Sequence, residues 1–350
     1  MKKSGLILLS VMMAAFTSQV FGQTPYYNQF HQQPLLNNPA LSGMKSDVVV
    51  GFGYRAQNVG SGNGAINTPT FSAILPIMQT VKRNVKRVGA AGIMVLSDRT
   101  GTNGVVRTTG VLGSFAYNLP ITNMGGKFAV AMQLGYMSRS LDANALRTGS
   151  QFNPITGNFD GTLANGETAD LGSTKGFGMV NLGAVYYDED EYGDVEYYIG
   201  VSGQGVNVPN ISLFDSKTER LPFNFSALGG IRLFNDEQFI VTPNFRYFYA
   251  GPERSQLNIG SLIHYKIDGG YDAIGRGTAG IGLWYSQNNS VIASFEVNQP
   301  GFSIGLSYDF LINGLNESPS QARVTEFVIS GKKYIGKRRP KDLRNRLRRG

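Results

Sequence analysis

The chain has 350 residues with 45 glycines, a single Trp and no Cys, and its 16% of charged residues falls below the roughly 25% of ordinary soluble domains. Without Cys there is no disulfide staple, no lipid-modified N-terminal cysteine and no Cys/His zinc cluster. The formal charge of +8 sits at one end, because Lys332 to Gly350 holds ten Lys or Arg against Asp342; the rest of the mature chain is mildly acidic and has no nucleic-acid signature.

At the N-terminus, Lys2 and Lys3 precede the apolar stretch Leu6 to Phe16, and Val20-Phe21-Gly22 suits a cleavage site ahead of Gln23. This predicts a signal peptide over residues 1–22. The apolar run is too short to cross about 30 Å of hydrocarbon, and no later run reaches about 18 residues. Residues 23–46 follow as an N-terminal extension rich in Gln, Asn and Pro, with no clean period. Pro39 biases Asn38 to an extended conformation and starts a turn.

From residue 47 the period is two. Phe128, Val130, Met132, Leu134 and Tyr136 alternate with Ala129, Ala131, Gln133 and Gly135; Phe302, Ile304, Leu306, Tyr308 and Phe310 alternate with Ser303, Gly305, Ser307 and Asp309. Each such segment is a strand with one apolar and one small or polar face. A soluble sandwich would charge its second face, whereas this one carries Gly, Ala, Ser and Asn. Together with a slightly negative mean hydropathy, the pattern predicts an all-β chain. Because strand edges cannot stay unpaired in lipid, the sheet must close as an antiparallel transmembrane β-barrel. Fourteen strands are expected, near 47–58, 66–77, 86–97, 105–118, 126–138, 175–187, 194–204, 222–234, 238–249, 255–265, 277–286, 289–297, 301–312 and 322–335. The barrel thus occupies 47–335. Both ends then lie in the periplasm, the long connection Arg139 to Thr174 lies outside the cell, and Asn235-Asp236-Glu237 and Asn298-Gln299-Pro300 form periplasmic turns. On this alternation, arginine should be tolerated better at Ser307 than at Leu306.

Residues 336–350 form a basic tail. Lys337, Arg338, Arg339, Arg344, Arg346, Arg348 and Arg349 are candidates for docking an acidic periplasmic protein or lipid phosphates, the alternative being a solvated end.

Three motifs resemble catalytic or ligand signatures. Gly275-Arg276-Gly277-Thr278-Ala279-Gly280 fits a dinucleotide fingerprint, but an alternating strand follows it where a helix is required. Gly301-Phe302-Ser303-Ile304-Gly305 fits a nucleophile elbow, yet Ser303 lies within a strand rather than on a sharp turn. Its only possible bases are His264, on another strand, and His31, which the sequence places in the extension outside the barrel. Asp188-Glu189-Asp190-Glu191 and Asp194 lack calcium-loop spacing and predict a solvated periplasmic hairpin. No enzyme activity, metal or cofactor is expected.

The segment Gln29-Phe30 followed by Leu35-Leu36-Asn37-Asn38-Pro39-Ala40-Leu41-Ser42-Gly43 resembles the PorP/SprF family of Bacteroidetes outer-membrane proteins. That family opens with a Tyr/Gln-rich stretch leading to Asn-Pro-Ala-aromatic-x-Gly and a first strand ending near an Arg, here Asp47 to Arg55. Leu41 replaces the aromatic, and Thr325-Glu326-Phe327 stands where a His-Glu pair is common. The resemblance makes Gln29, Phe30, Asn38, Pro39, Ala40 and Gly43 the motif residues, structural or partner-contacting. It implies an outer-membrane role in type IX secretion and gliding motility. The expected partners are a secreted adhesin or cargo protein, translocon or periplasmic ring components, and outer-membrane lipid. The residues themselves leave a diffusion channel or hydrophobic-solute transporter as the alternative, and a membrane-embedded hydrolase as a third reading. The inward set is dominated by small residues with scattered Arg55, Arg232 and Arg246, which favours a narrow or plugged lumen over an open pore.

Overall fold

The computed structural model describes residues 27–57, 65–81, 84–101, 104–121, 126–142, 149–160, 162–163, 174–190, 194–214, 218–236, 238–251, 254–268, 276–287, 290–312 and 324–334. The expected signal peptide and basic tail lie outside these residues.

Side chains alternating between large apolar and small or polar can satisfy two solvents only as strands. Fourteen of them follow in chain order: β1 (Asp47–Gln57), β2 (Ile66–Val81), β3 (Asn84–Thr100), β4 (Val106–Pro120), β5 (Lys127–Leu141), β6 (Thr174–Glu189), β7 (Val195–Gln204), β8 (Asn224–Ile231), β9 (Phe239–Tyr249), β10 (Ser255–Asp268), β11 (Arg276–Ser286), β12 (Ser290–Asn298), β13 (Phe302–Leu311) and β14 (Val324–Tyr334). Each is antiparallel to its neighbours, and β1 pairs with β14 from Asp47↔Tyr334 to Gln57↔Val324, so the sheet closes on itself. Among the described residues no helix is long and apolar enough to cross a membrane; the crossing is made by strands.

The expected fourteen strands are all present, with differences at the ends. β2 and β3 outrun the alternation because a bulge between Ile77 and Met78 carries their pairing through a register shift. β8 is shorter than expected. Leu233 and Phe234 continue the apolar pattern, but Phe234–Asn235 forms a separate short strand paired only with β9. A small hairpin, Phe152–Asn153 with Asn158–Phe159, stands in the long β5–β6 connection.

Exposure follows the period. Leu134 and Leu306 are 49% and 47% exposed, whereas Gln133 and Ser307 are buried. Phe239 and Tyr265, paired across β9 and β10, meet edge to face on the outer surface at 5.5 Å. The outer face is apolar because it meets hydrocarbon.

The inner face is buried for another reason. Residues 27–46 lie within the lumen, as a four-residue helix, Pro34–Asn37, and a 3-10 helix, Pro39–Met44. Tyr27, Leu35 and Leu36 share one apolar cluster with Met94, Leu112, Met137 and Phe177 of the wall, while Ala40 and Leu41 join Ala116, Ala129 and Val185 in a second. The β7–β8 connection folds onto the first cluster, burying Ile211 and Leu221.

Candidate functional site

The lumen, filled by its own chain, is the candidate site. Its motif begins at Asn38, which holds the extended conformation expected before a proline (φ −154°, ψ 114°). The Asn38 side-chain oxygen accepts the Ala40 N–H at 2.9 Å, capping the 3-10 helix. Its amide nitrogen donates to the Ala184 and Val201 carbonyls at 3.1 and 3.0 Å, tying the segment to β6 and β7. The Asn38 amide oxygen lies where a side chain on Gly183 would stand, so glycine is required there by close approach. Pro39 opens the 3-10 helix where its missing N–H costs nothing, and Ala40 is buried. At the far end, the Gly43 carbonyl accepts Asn118 Nδ2 at 2.9 Å and Tyr187 OH at 3.2 Å.

Gln29 and Phe30 sit at the other end of the segment, both buried. Glu326, on β14, accepts the Asn28 N–H at 2.7 Å and the Gln29 N–H at 3.0 Å, and Gln29 Nε2 donates to Ser307 Oγ at 3.1 Å. Glu326 is fully buried and faces Arg55 across the β1–β14 seam, the guanidinium Nε lying 3.5 Å away. One carboxylate therefore serves both barrel closure and segment anchoring. Arg246, inward as expected, donates to the Tyr27 carbonyl at 2.8 Å. Arg232 lies beyond the end of β8, half-buried and 3.9 Å from Asp190.

Wall amides complete the cradle. Gln133 Nε2 donates to the Leu35 carbonyl at 3.3 Å, Gln204 Nε2 to Leu36 at 2.5 Å and Ser202 Oγ to Asn37 at 2.7 Å. Short helices leave carbonyls unsatisfied, and away from bulk solvent these wall side chains supply the donors. These wall residues were missed as site residues. The available signal was polar amides on the inward face, where small residues would suffice if the lumen were empty.

Two sequence expectations are corrected here. His31 is inside the barrel: its Nε2 pairs with Glu296 on β12, whose other oxygen lies 3.3 Å from His264 Nε2, and its ring stacks on Trp284 at 6.0 Å. The extension was read as outside because its sequence has no strand period, but polar side chains that find wall partners can be buried. Glu189 is likewise not a solvated hairpin residue; it is buried and paired with Arg87 and Lys127. The outcome expected at Ser307 also changes. Ser307 contacts Gln29 and donates to Glu326 at 3.1 Å, so an arginine there would meet the segment rather than water.

Ser303 shares a hydrogen bond with Ser330 at 2.6 Å on the inward face of β13, and Arg276–Gly280 opens strand β11. Gly275 lies outside the described residues. Among the described residues no three His, Cys, Asp or Glu side chains are grouped to hold a metal. The tail candidates Lys337 to Arg349 lie outside the described residues.

The family model for the type IX secretion system membrane protein PorP/SprF matches residues 19–329. No curated protein matches the chain. Among solved structures it is similar to a Pseudomonas aeruginosa FadL homologue (11% identity, TM-score 0.47, covering 90% of this chain and 96% of that one). It is also similar to the Ralstonia pickettii toluene transporter TbuX (12%, 0.47, 91% and 97%) and the Pseudomonas putida toluene transporter TodX (14%, 0.45, 90% and 96%).

Proposed function

The chain belongs to the PorP/SprF family of type IX secretion system membrane proteins, and from that premise we propose that it is a non-catalytic partner barrel. It lies in the outer membrane and holds a secreted adhesin or cargo protein for delivery to, or retention at, the cell surface, as part of the machinery for secretion and gliding. The observation that supports this reading over a diffusion channel is the lumen occupied by residues 27–46 through backbone contacts to at least β5, β6, β7, β9 and β14. A barrel stiffened from within offers a fixed platform, and its long connections at one end offer contact surface. The β5–β6 connection presents Phe152, Ile155 and Phe159 exposed, apolar side chains set in a hairpin outside the strands. β14 ends at Tyr334 on the opposite side, and the sequence that follows it, Lys337 to Arg349, carries positive charge suited to an acidic ring component or to lipid phosphates within about 8 Å at physiological salt.

The test is recovery of partners from native membranes with a tagged barrel. Replacing residues 149–163 with a Gly-Ser linker is expected to leave heat-modifiability intact and to lower the recovery of a type IX-secreted surface protein. Deleting residues 337–350 is expected to lower only salt-sensitive periplasmic partners. Unchanged recovery of all partners in both variants would overturn the reading.

A further inference from the structure

Among the described residues the seam between β8 and β9 is interrupted. The β8–β9 ladder ends at Gly230↔Asn244, while Val241 and Ile240 pair instead with Phe234–Asn235. Among the described residues Thr242 and Pro243 therefore face no ladder partner on that side, and Pro243 has no N–H to leave unsatisfied. Behind this gap lies a cavity of about 230 Å³. Phe30, Leu41 and Met44 of the lumen segment form one side, and Tyr198, Thr242 and Ile231 of the wall form the other. Phe30 is buried within the lumen, whereas Ile231 is 44% exposed on the outer surface. The cavity thus reaches from the lumen segment to the outside of the barrel.

Its charge is set by Lys45 and Arg232, which both line it, and by Glu196, an exposed carboxylate at the same place, with Asp190 3.9 Å from the Arg232 guanidinium. The Lys45 backbone N–H caps the 3-10 helix by donating to the Ser42 carbonyl at 3.1 Å, and its half-buried side chain makes no hydrogen bond or ion pair among the described residues. Burial, with Lys332 nearby, pulls its ammonium down to about 8 against the opposing effect of the Asp47 and Glu296 carboxylates. A half-buried ammonium above an apolar floor, with no carboxylate within ion-pair distance, is favoured by an anion that completes it. The apolar floor argues against a free inorganic anion, and the Lys45 ammonium, with Arg232 beside it, argues against a plain hydrocarbon.

We propose that this cavity holds one acyl chain of an anionic phospholipid from the periplasmic leaflet, with its phosphate against Lys45 and Arg232. At roughly 30 Å³ for each water-sized group, the volume admits several methylenes. The seam lies at the short-turn end of the strands, which in outer-membrane barrels is the periplasmic one. There the headgroup stays at the interface while the chain enters between β8 and β9.

The single Trp284 reports on this site, because its ring stacks on His31 and His31 lines the cavity. The full mature chain in detergent is titrated with phosphatidylglycerol brominated on its acyl chain, and Trp fluorescence is followed alongside native mass spectrometry of bound lipid. Saturable quenching and one retained lipid are expected. Lys45→Ala should weaken binding roughly tenfold, the effect of losing one charge-assisted contact, and Thr242→Phe should fill the cavity and abolish quenching. Heat-modifiability verifies folding, and Lys45→Ala carries the test alone if Thr242→Phe does not fold. The proposal is overturned if Lys45→Ala binds as the parent does, or if Thr242→Phe, folded, is still quenched. Quenching by a brominated fatty alcohol as strong as by the lipid would reveal a nonspecific crevice, and displacement of the lipid by inorganic phosphate a free-anion site; either result also overturns it.

Discussion

Glu326 concentrates several interactions on one carboxylate: Arg55 across the seam, the Ser307 hydroxyl, and two backbone N–H groups of the lumen segment. Its removal takes a carboxylate from beside a buried guanidinium and the acceptors from two backbone donors together. Glu326→Ala is therefore expected to destabilise the barrel by about 3–5 kcal/mol in urea unfolding, and to make residues 27–46 sensitive to protease. Glu326→Gln, which keeps the shape, should cost less. A loss no larger for Ala than for a surface Glu would remove the anchor role. A second residue-scale test compares the two faces of β13. Leu306→Arg places a charge in lipid and should cost about 2–4 kcal/mol near mid-membrane. Ser307→Arg should be comparably damaging by displacing Gln29, although alternation alone would make it mild. If Ser307→Arg unfolds like the parent, Gln29 does not hold the position described.

At the scale of elements, the segment 27–46 and the wall are fitted to each other. A side chain on Gly305 would overlap the amides of Gln29 and Gln32, so inward glycine on β13 makes room for the segment rather than for a pore. The parent protein is expected to show no steady conductance in planar bilayers. Deleting residues 27–44, or introducing Gly305→Leu to push Gln29 and Gln32 aside, should open a conducting path. Steady conductance of the parent at the level of the deletion would mean that the segment does not occlude the lumen. The motif residues were legible as a pattern, yet their use was not. Asn38 earns its place through carbonyls on β6 and β7, about 150 residues later in the chain, and no local rule connects them.

For the molecule as a whole, closure through β1 and β14 fixes which connections share an end. The connections 142–173 and 205–223 lie at the end opposite the turns at Asp236 and Gln299. In outer-membrane barrels the short turns are periplasmic. Cysteine placed at Gly157 should therefore react with an impermeant maleimide on intact cells, while cysteine at Asp236 should react only after the outer membrane is opened. The reverse pattern would invert the barrel.

Alternation with period two is a local property, since successive side chains on a strand must face opposite sides. Strand number, lipid face and closure followed from it together with the impossibility of unpaired backbone in hydrocarbon. The ends of β2 and β8 escaped that reading because a bulge and a sideways step depend on the neighbouring strand. What fills the lumen was decided by tertiary structure alone. The segment 27–46 has no strand period and carries six Gln and Asn among its apolar residues, and such polar side chains are stable inside a barrel when distant donors and acceptors meet the segment. Those partners, Glu326, Arg246, Gln133, Ser202, Gln204 and Glu296, come from strands spread along the chain, and only closure of the sheet brings them around one short peptide.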